Sequence, residues 1–362
     1  MFINPSAASW KYEGPPADPS VGPFHRRLPD YNITPLVTLP NLAQELGLGH
    51  VVIKDESLRF GLPAFKILGA SWAIYKAVCT ECELPLTTSL KELGEAAKQR
   101  NIKLVTCTEG NWGRATARMA KYLGISATVF VPNDMTRSTQ EKISGEGAKV
   151  VVVDGDYDVT IPKAQEEADH GNGLLVMDVS WKGYQEIPEW VVEGYSTMLT
   201  ETDWQLEDIV GKPATHAIMS VGVGSWGQAV SKHYKSGKDQ AKVIAVEPET
   251  AACLKASLEA GEMISITTGH TIMNGMSCGT VSYTAWDILR QGVDVSVAVS
   301  DKEAHEDVRY LHSQGVRNGP CGAAPLSALR RLCKEKEKLG LDAHSVVVLF
   351  STEGARGYPV PA

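Results

Sequence analysis

The clearest indication of architecture is a strand–loop–helix segment with the sequence His216-Ala217-Ile218-Met219-Ser220-Val221-Gly222-Val223-Gly224-Ser225-Trp226-Gly227. Its apolar first half, residues 216–221, is typical of a strand buried on both faces, and a helical pattern follows over residues 226–234. The glycine-rich turn between them exposes converging backbone N–H groups and the Ser225 hydroxyl. This turn predicts a phosphate-binding loop formed by Gly222, Val223, Gly224 and Ser225.

Similar short apolar runs recur along the chain and alternate with helical patterns. The other candidate strands are residues 51–53, 104–106, 128–131, 149–153, 174–177, 243–246 and 346–350. The other candidate helices are residues 112–123, 136–144, 190–200 and 325–337. This alternation predicts an α/β fold with open, twisted parallel sheets that carry helices on both faces. Sheets of this kind bind their ligands at the carboxyl ends of the strands.

Two irregular stretches interrupt the alternation, at residues 79–89 and 179–189. We therefore expect two domains, a large one formed by residues 1–69 and 186–362 and a small one inserted at residues 70–185. The small domain would carry the asparagine loop described below, and a ligand would lie in the cleft between the domains.

The composition argues against several classes of function. The chain has 362 residues, a formal net charge of −8 and no basic cluster, which argues against a nucleic-acid partner. No run approaches 18 apolar residues and residues 1–23 contain no apolar signal segment, so we expect a cytoplasmic protein with no membrane partner. Seven scattered cysteines fit reduced thiols. The nine histidines show no metal-binding spacing, so no metal site is predicted.

Lys66 is the main candidate for chemistry. It follows the punctuated run Phe60-Gly61-Leu62-Pro63-Ala64-Phe65 and begins an apolar helical pattern. Burial among apolar neighbours is expected to lower the pKa of a lysine. A lysine that loses its proton readily can form a Schiff base with an aldehyde cofactor. The alternative is a lysine whose charged end extends to water.

Polar groups follow three further predicted strands. The loop Thr108-Glu109-Gly110-Asn111 joins a strand to a helix, which is a suitable site for a carboxylate anion. Asp178 follows the strand at 174–177 and is a candidate acid or base. Ser351 and Thr352 follow the last strand, where hydroxyl groups can face a ligand or end a strand in a turn.

The glycine-rich turn has a second interpretation. Gly222-x-Gly224-x-x-Gly227 fits a dinucleotide-binding pattern, and Glu247 lies about twenty residues further on. An NAD-dependent oxidoreductase therefore stays an alternative, as does a binding protein without catalysis. The turn lacks the lysine of a Walker loop, and no serine-hydrolase motif is present.

Taken in order, these motifs resemble the pyridoxal-phosphate enzymes of the tryptophan-synthase β fold (fold type II). Among these enzymes they are most similar to the diaminopropionate ammonia-lyases. The resemblance extends over residues 31–354. It rests on Arg59-Phe60-Gly61-Leu62-x-Ala64-Phe65-Lys66, Thr108-Glu109-Gly110-Asn111, Asp178-x-x-Trp181-x-Gly183-Tyr184, Gly222-Val223-Gly224, Glu247-Pro248, Met276-x-Cys278-Gly279 and Ser351-Thr352-Glu353-Gly354.

The resemblance implies that pyridoxal 5′-phosphate is the cofactor and that Lys66 holds it covalently. Asn111 would then contact the 3′ oxygen of the pyridine ring, and the loop Gly222-Val223-Gly224-Ser225 would bind the phosphate. Ser351 or Thr352 would lie against the pyridine nitrogen. A neutral hydroxyl at that position makes the ring a weaker electron sink, which suits elimination.

For the substrate, a small amino acid, the resemblance implies that Thr108, Gly110 and Asn111 bind the carboxylate. The implied reaction is α,β-elimination of ammonia from 2,3-diaminopropionate to give pyruvate, with Glu109 and Asp178 as the acids or bases. The alternative is a β-elimination or β-replacement on an amino acid like serine, threonine or hydroxyaspartate, with a biosynthetic role left open. A homodimer is also expected, since symmetric dimers are the commonest assembly.

Two positions depart from the family pattern. Glu109 stands where the family usually has aspartate, which moves the carboxylate by one methylene group. Trp112 stands where the family usually has histidine, which removes a titratable group and adds bulk. Both changes lie beside the expected substrate site.

Overall fold

Strands and helices alternate along the chain in the computed structural model, which describes residues 1–108, 110–155, 157–171 and 173–361. The strands are β1 (Phe2–Ile3), β2 (Leu36–Thr38), β3 (His50–Asp55), β4 (Lys103–Cys107), β5 (Ala127–Pro132), β6 (Lys149–Val153), β7 (Gly173–Leu175), β8 (His216–Ser220), β9 (Lys242–Pro248), β10 (Val295–Val299) and β11 (Val346–Ser351).

The helices are α1 (Val21–Arg27), α2 (Pro40–Glu45), α3 (Lys66–Cys82), α4 (Leu90–Gln99), α5 (Asn111–Leu123), α6 (Arg137–Ser144), α7 (Tyr157–Asp169), α8 (Glu186–Gly194), α9 (Ser196–Val210), α10 (Ser225–Tyr234), α11 (Cys253–Ala260), α12 (Tyr283–Gly292), α13 (Asp301–Ser313), α14 (Pro320–Leu332) and α15 (Lys336–Leu339). Short 3₁₀ turns lie at Pro5–Ala7, Asn274–Met276 and Cys333–Glu335.

All eight predicted strands are present, and the sequence analysis missed β1, β2 and β10. Two strands are shorter than predicted. β8 ends at Ser220 instead of residue 221, and β7 ends at Leu175 although the apolar run continues to residue 177. The predicted helix at 190–200 is wrong. The N–H of Tyr195 turns to the carbonyl of Val192, so the chain forms two helices, α8 and α9.

The predicted helix at 325–337 also has wrong bounds. It begins earlier, since Pro320 occupies the first turn of α14, where its missing N–H costs nothing. It ends at Leu332, after which a 3₁₀ turn separates it from α15.

The chain divides into two compact units. The first unit contains Met1–Ala17, Asn32–Phe65 and Ser196–Ala362, and the second contains Asp18–Tyr31 and Lys66–Tyr195. The second unit includes all of residues 70–185. It also includes α1, the start of α3 and α8, because α1 and α8 both pack on α3.

The first unit is built on a seven-stranded sheet with the order β1-β10-β9-β8-β11-β3-β2. Its five central strands are parallel, and β1 and β2 are antiparallel edge strands. Successive side chains of β11 point to opposite faces. Leu349 joins the core formed with α14, whereas Phe350 lies edge-on to Trp226 of α10, with 5.2 Å between ring centroids. Helices therefore cover both faces, as predicted.

The second unit is built on a four-stranded parallel sheet with the order β6-β5-β4-β7. Since β4 and β7 are neighbours, the loops that follow them lie at the same edge of this sheet. Among the described residues, no helix is long and apolar enough to span a membrane.

Candidate active site

In the second unit, Lys66 is paired with a carboxylate. Lys66 is the first residue of α3, and its Nζ lies 2.6 Å from Oδ2 of Asp178, 112 residues further along the chain. The Asp178 residue is buried, while the Lys66 side chain is 22% exposed. The other residues in the first turns of α3 are apolar and buried, as expected. Lys66 itself differs from the prediction, because its partner is a carboxylate and its surroundings are not purely apolar.

The loop between β4 and α5 presents polar groups at the same edge of the four-stranded sheet as the segment after β7, which carries Asp178. The hydroxyl of Thr108 accepts hydrogen bonds from the N–H groups of Gly110 (2.9 Å) and Gly113 (3.0 Å). These two bonds occupy the lone pairs of the oxygen, so its proton is left to donate to an acceptor. The amide of Asn111 makes no hydrogen bond to any other described residue. Glu109 lies outside the described residues.

Trp112 has a structural role in this loop. It is buried, and its Nε1 donates to the Thr106 hydroxyl (2.9 Å) and to the carbonyl of Val176 (3.2 Å). The indole therefore connects β4 to the segment that carries Asp178.

In the first unit, the loop between β8 and α10 has the geometry of an anion site. The N–H groups in the first turn of α10 have no acceptor within the helix, and an anion there is stabilised by them and by the helix dipole. Both glycines are required. Gly224 has φ +98°, and a Cβ at Gly222 would lie 2.9 Å from the carbonyl oxygen of Gly275.

The end of β11, which pairs with β8, carries a hydroxyl without a partner. Oγ of Ser351 is fully buried and makes no hydrogen bond to any described residue, whereas the carbonyl of Thr352 accepts a hydrogen bond from the N–H of Phe65, the residue before Lys66. Space beside this hydroxyl is kept by Gly322, where a Cβ would lie 2.7 Å from Oγ of Ser351.

Asn318 was missed by the sequence analysis. It is fully buried, both polar atoms of its side chain lack hydrogen-bond partners, and its Cβ lies 3.2 Å from the Cβ position that Gly322 leaves open. Nothing in the local sequence distinguishes it from an ordinary turn residue.

These groups fit pyridoxal phosphate better than a dinucleotide. A phosphate fits the glycine loop, and a pyridine nitrogen fits the buried hydroxyl of Ser351, which otherwise has no partner. Glu247, the acid that an NAD site needs for a ribose, is instead buried and accepts hydrogen bonds from the N–H groups of Leu254 (2.7 Å) and Lys255 (2.8 Å). Burial raises the pKa of Glu247 to about 7. The geometry therefore opposes the dinucleotide interpretation.

Comparisons with known proteins agree with this fit. A family profile described as "Pyridoxal-phosphate dependent enzyme" matches residues 28–352. The diaminopropionate ammonia-lyase of Salmonella typhimurium is 34% identical over 352 residues, which cover 91% of this chain and 87% of that protein.

Solved structures give the same result. The holo diaminopropionate ammonia lyase of Escherichia coli superimposes with a TM-score of 0.86 at 29% identity, covering 98% of this chain and 93% of that one. The same enzyme in complex with D-serine gives a TM-score of 0.86 at 28% identity, with the same coverage. The chain therefore belongs to the pyridoxal-phosphate-dependent enzymes of fold type II, and within them to the family of the diaminopropionate ammonia-lyases.

Proposed function

We propose that this protein uses pyridoxal 5′-phosphate to eliminate ammonia from 2,3-diaminopropionate, giving pyruvate and ammonia. The observation that carries the proposal is the contact of 2.6 Å between Lys66 Nζ and Asp178 Oδ2, which places an amine base and an acid side by side. The named relatives, which share this reaction in their names, support the choice of substrate.

The residues expected to hold the cofactor each have a separate role. Lys66 would bind it covalently, Asn111 would donate to its 3′ oxygen, and Gly222, Val223, Gly224 and Ser225 would bind its phosphate. Of the two hydroxyl residues at the end of β11, we assign Ser351 to the pyridine nitrogen, because its buried hydroxyl makes no hydrogen bond to any described residue. When bound, pyridoxal phosphate delocalises the electron pair that remains when a substrate loses its α proton.

The substrate carboxylate would accept hydrogen bonds from the Thr108 hydroxyl and from the Asn111 amide. The N–H of Gly110, the third expected donor, is already bonded to the Thr108 hydroxyl in this structure. The Lys66 amine, released from the cofactor when the substrate amine takes its place, would then remove the proton from Cα. A β-amino group leaves poorly unless it is protonated. The proton can pass from Lys66 Nζ to Asp178 Oδ2 and then to the β nitrogen as the Cβ–N bond breaks. The proton lost from Cα thus leaves with ammonia, and water converts the aminoacrylate product to pyruvate and a second ammonia.

The experiment is a substrate panel with the reconstituted protein: D- and L-diaminopropionate, serine, threonine and O-acetylserine. Diaminopropionate should release two molecules of ammonia for each pyruvate, whereas serine can release only one. Lys66→Ala should abolish turnover and the near-visible absorbance of the bound cofactor. Activity on serine or threonine with none on either enantiomer of diaminopropionate would overturn the proposed substrate assignment. A protein that takes up no pyridoxal phosphate would overturn the chemistry.

We also propose that the protein is a cytoplasmic homodimer. No disulfide joins any of the seven cysteines, all of which lie among the described residues, and this suits a reducing compartment. Cyclic dimers are the commonest assemblies. Light scattering at micromolar concentration should give twice the chain mass, and cell fractionation should recover the protein in the cytosol. A monomeric mass would contradict the dimer.

A further inference from the structure

The segment that carries Asp178 is held by side chains instead of by the sheet. After Leu175 the chain leaves β7, and the last backbone hydrogen bond of this segment to β4 runs from Val176 N to the carbonyl of Val105, at 2.8 Å. Beyond this bond, no backbone group of the segment bonds to a strand among the described residues, and buried backbone groups need partners. Two aromatic side chains supply them.

Tyr184 provides the first set of contacts. Its hydroxyl donates to the carbonyl of Leu175 (2.8 Å) and accepts from the N–H of Met177 (3.0 Å). It therefore bridges the two backbone positions that flank Val176. The Tyr184 ring is fixed in turn by stacking on Trp181, with 4.5 Å between centroids, and by two backbone hydrogen bonds between the same two residues.

The Tyr184 hydroxyl keeps its proton over the whole working range of pH. Burial raises its pKa well above the ordinary value, and the charge of Asp178 opposes ionisation further. The bridge from Tyr184 to the backbone is thus present throughout that range.

Trp112 provides the second contact, since its Nε1 donates to the carbonyl of Val176. Leu175, Val176 and Met177 are the three residues that precede Asp178, and each has a backbone group bonded to Tyr184 or Trp112. Neither aromatic side chain makes a hydrogen bond with Lys66 among the described contacts. Their effect on the lysine has to pass through the backbone of Asp178.

We propose that Tyr184 is a positioning residue that keeps the Asp178 carboxylate at Lys66, with Trp112 as its second support. The proposal rests on the proposed function only for the kinetic part of its test. Proton transfer depends steeply on distance, and a misplacement of about 1 Å can cost about 100-fold in rate. Loss of the Tyr184 hydroxyl should therefore lower kcat through Asp178.

The test uses the holoenzyme and Tyr184→Phe, which keeps the stacked ring. Tyr122→Phe is the matched control, because it removes another hydroxyl of the second unit that bonds a backbone carbonyl, that of Pro29. We expect kcat on diaminopropionate to fall about 10- to 100-fold in Tyr184→Phe with KM changed less than about threefold, and no such change in Tyr122→Phe. In an Asp178→Asn background, Tyr184→Phe should lower kcat by less than about threefold.

Equal losses in both backgrounds would overturn the proposal, because Tyr184 would then act independently of Asp178. Thermal unfolding is measured for each variant. If Tyr184→Phe does not fold, Trp112→Phe takes its place, since it removes the bond to Val176 and should show the same dependence on Asp178.

A second readout needs no catalysis. In the full chain freed of cofactor, trinitrobenzenesulfonate modifies only uncharged amines, so the rate at Lys66, followed by peptide mass spectrometry, reports how firmly Asp178 keeps the amine charged. Asp178→Asn and Tyr184→Phe should both react several-fold faster than wild type and Tyr122→Phe. If Tyr184→Phe reacts at the wild-type rate, the positioning role is refuted. If wild type fails to turn over diaminopropionate while the labelling pattern holds, the proposed function alone fails.

Discussion

Removing one carboxylate from a buried charge cluster in the first unit should destabilise the protein strongly. Lys54, Glu56, Arg59 and Glu201 are all buried, and their charges balance as two cations and two anions. Arg59 lies 2.6 Å from both Glu56 and Glu201, and Lys54 lies 3.1 Å from Glu201. The perturbation is Glu201→Gln, which keeps the size of the side chain and removes its charge.

The expected decrease in the free energy of unfolding follows from the loss of charge balance in the cluster. Removing one partner of a buried ion pair costs about 3–5 kcal/mol, because the remaining charge has no compensation. For a domain of 150–250 residues, 1 kcal/mol corresponds to about 2–4 °C in Tm, so we expect a decrease of roughly 6–20 °C. The control is Glu249→Gln. Its carboxylate pairs with Arg331 at the surface and is 48% exposed, so the cost should stay below about 1 kcal/mol.

The cost of Glu201→Gln should also depend on pH. Burial lowers the pKa of Lys54 below its ordinary value, and Glu201 opposes that shift. Without Glu201, Lys54 releases its proton more readily in the folded state than in the unfolded state. The unfolded state then binds more protons, so the stability of the variant rises with pH up to the unfolded pKa of lysine. The penalty should be largest near pH 7 and smaller near pH 9.5.

Urea unfolding of wild type and variant at both pH values measures this difference. A penalty below 1 kcal/mol at pH 7 would refute the buried-charge argument, and an equal penalty at pH 9.5 would refute the role of Lys54.

The buried charge cluster also affects the conformation of the loop before Lys66. Arg59 also donates to the carbonyl of Asn32, and the Asn32 side chain accepts from Phe60 N, so the cluster fixes the loop that leads to Lys66.

Three further predictions concern the site. Ser351→Ala removes one neutral hydrogen bond of about 0.5–1.5 kcal/mol, so an absorbance titration should show pyridoxal phosphate binding about two- to tenfold more weakly while Tm stays within about 2 °C. Gly222→Ala should weaken binding more than Ser351→Ala in the same titration, because its Cβ would lie 2.9 Å from the Gly275 carbonyl; equal effects would contradict the close approach. If both enantiomers of diaminopropionate react, Glu109→Gln should lower kcat/KM for one much more than for the other, and equal losses would show that its role is assigned wrongly.

The sequence predicted those features that depend on neighbouring residues. Apolar runs and glycine turns predicted β8, α10 and the loop between them, because a buried strand and a helix N-terminus each have a local pattern. The start of α3 at Lys66 was predicted in the same way. The short edge strands β1 and β2 were missed, since two or three residues leave no periodic signal.

Other features depend on contacts across long stretches of chain and have no local pattern. The sequence alone expected Lys66 in apolar surroundings, but the fold brings Asp178 to its Nζ. The sequence also did not predict that β7 ends at Leu175, because the apolar run continues beyond this residue. A tyrosine hydroxyl and an indole replace the sheet there as hydrogen-bond partners. The unpartnered amide of Asn318 becomes visible only when the side chains around it are placed.

The two departures from the family pattern therefore have different consequences. Trp112 contributes no titratable group, and its Nε1 donates to Thr106 and Val176, so we expect this position to act on the support of Asp178. In the proposed mechanism, elimination from the face that Lys66 serves uses Lys66 and Asp178, and the structure contains this ion pair. In the same mechanism, we expect any restriction in which enantiomer reacts to arise at Glu109, whose side chain is longer than that of aspartate by one methylene group.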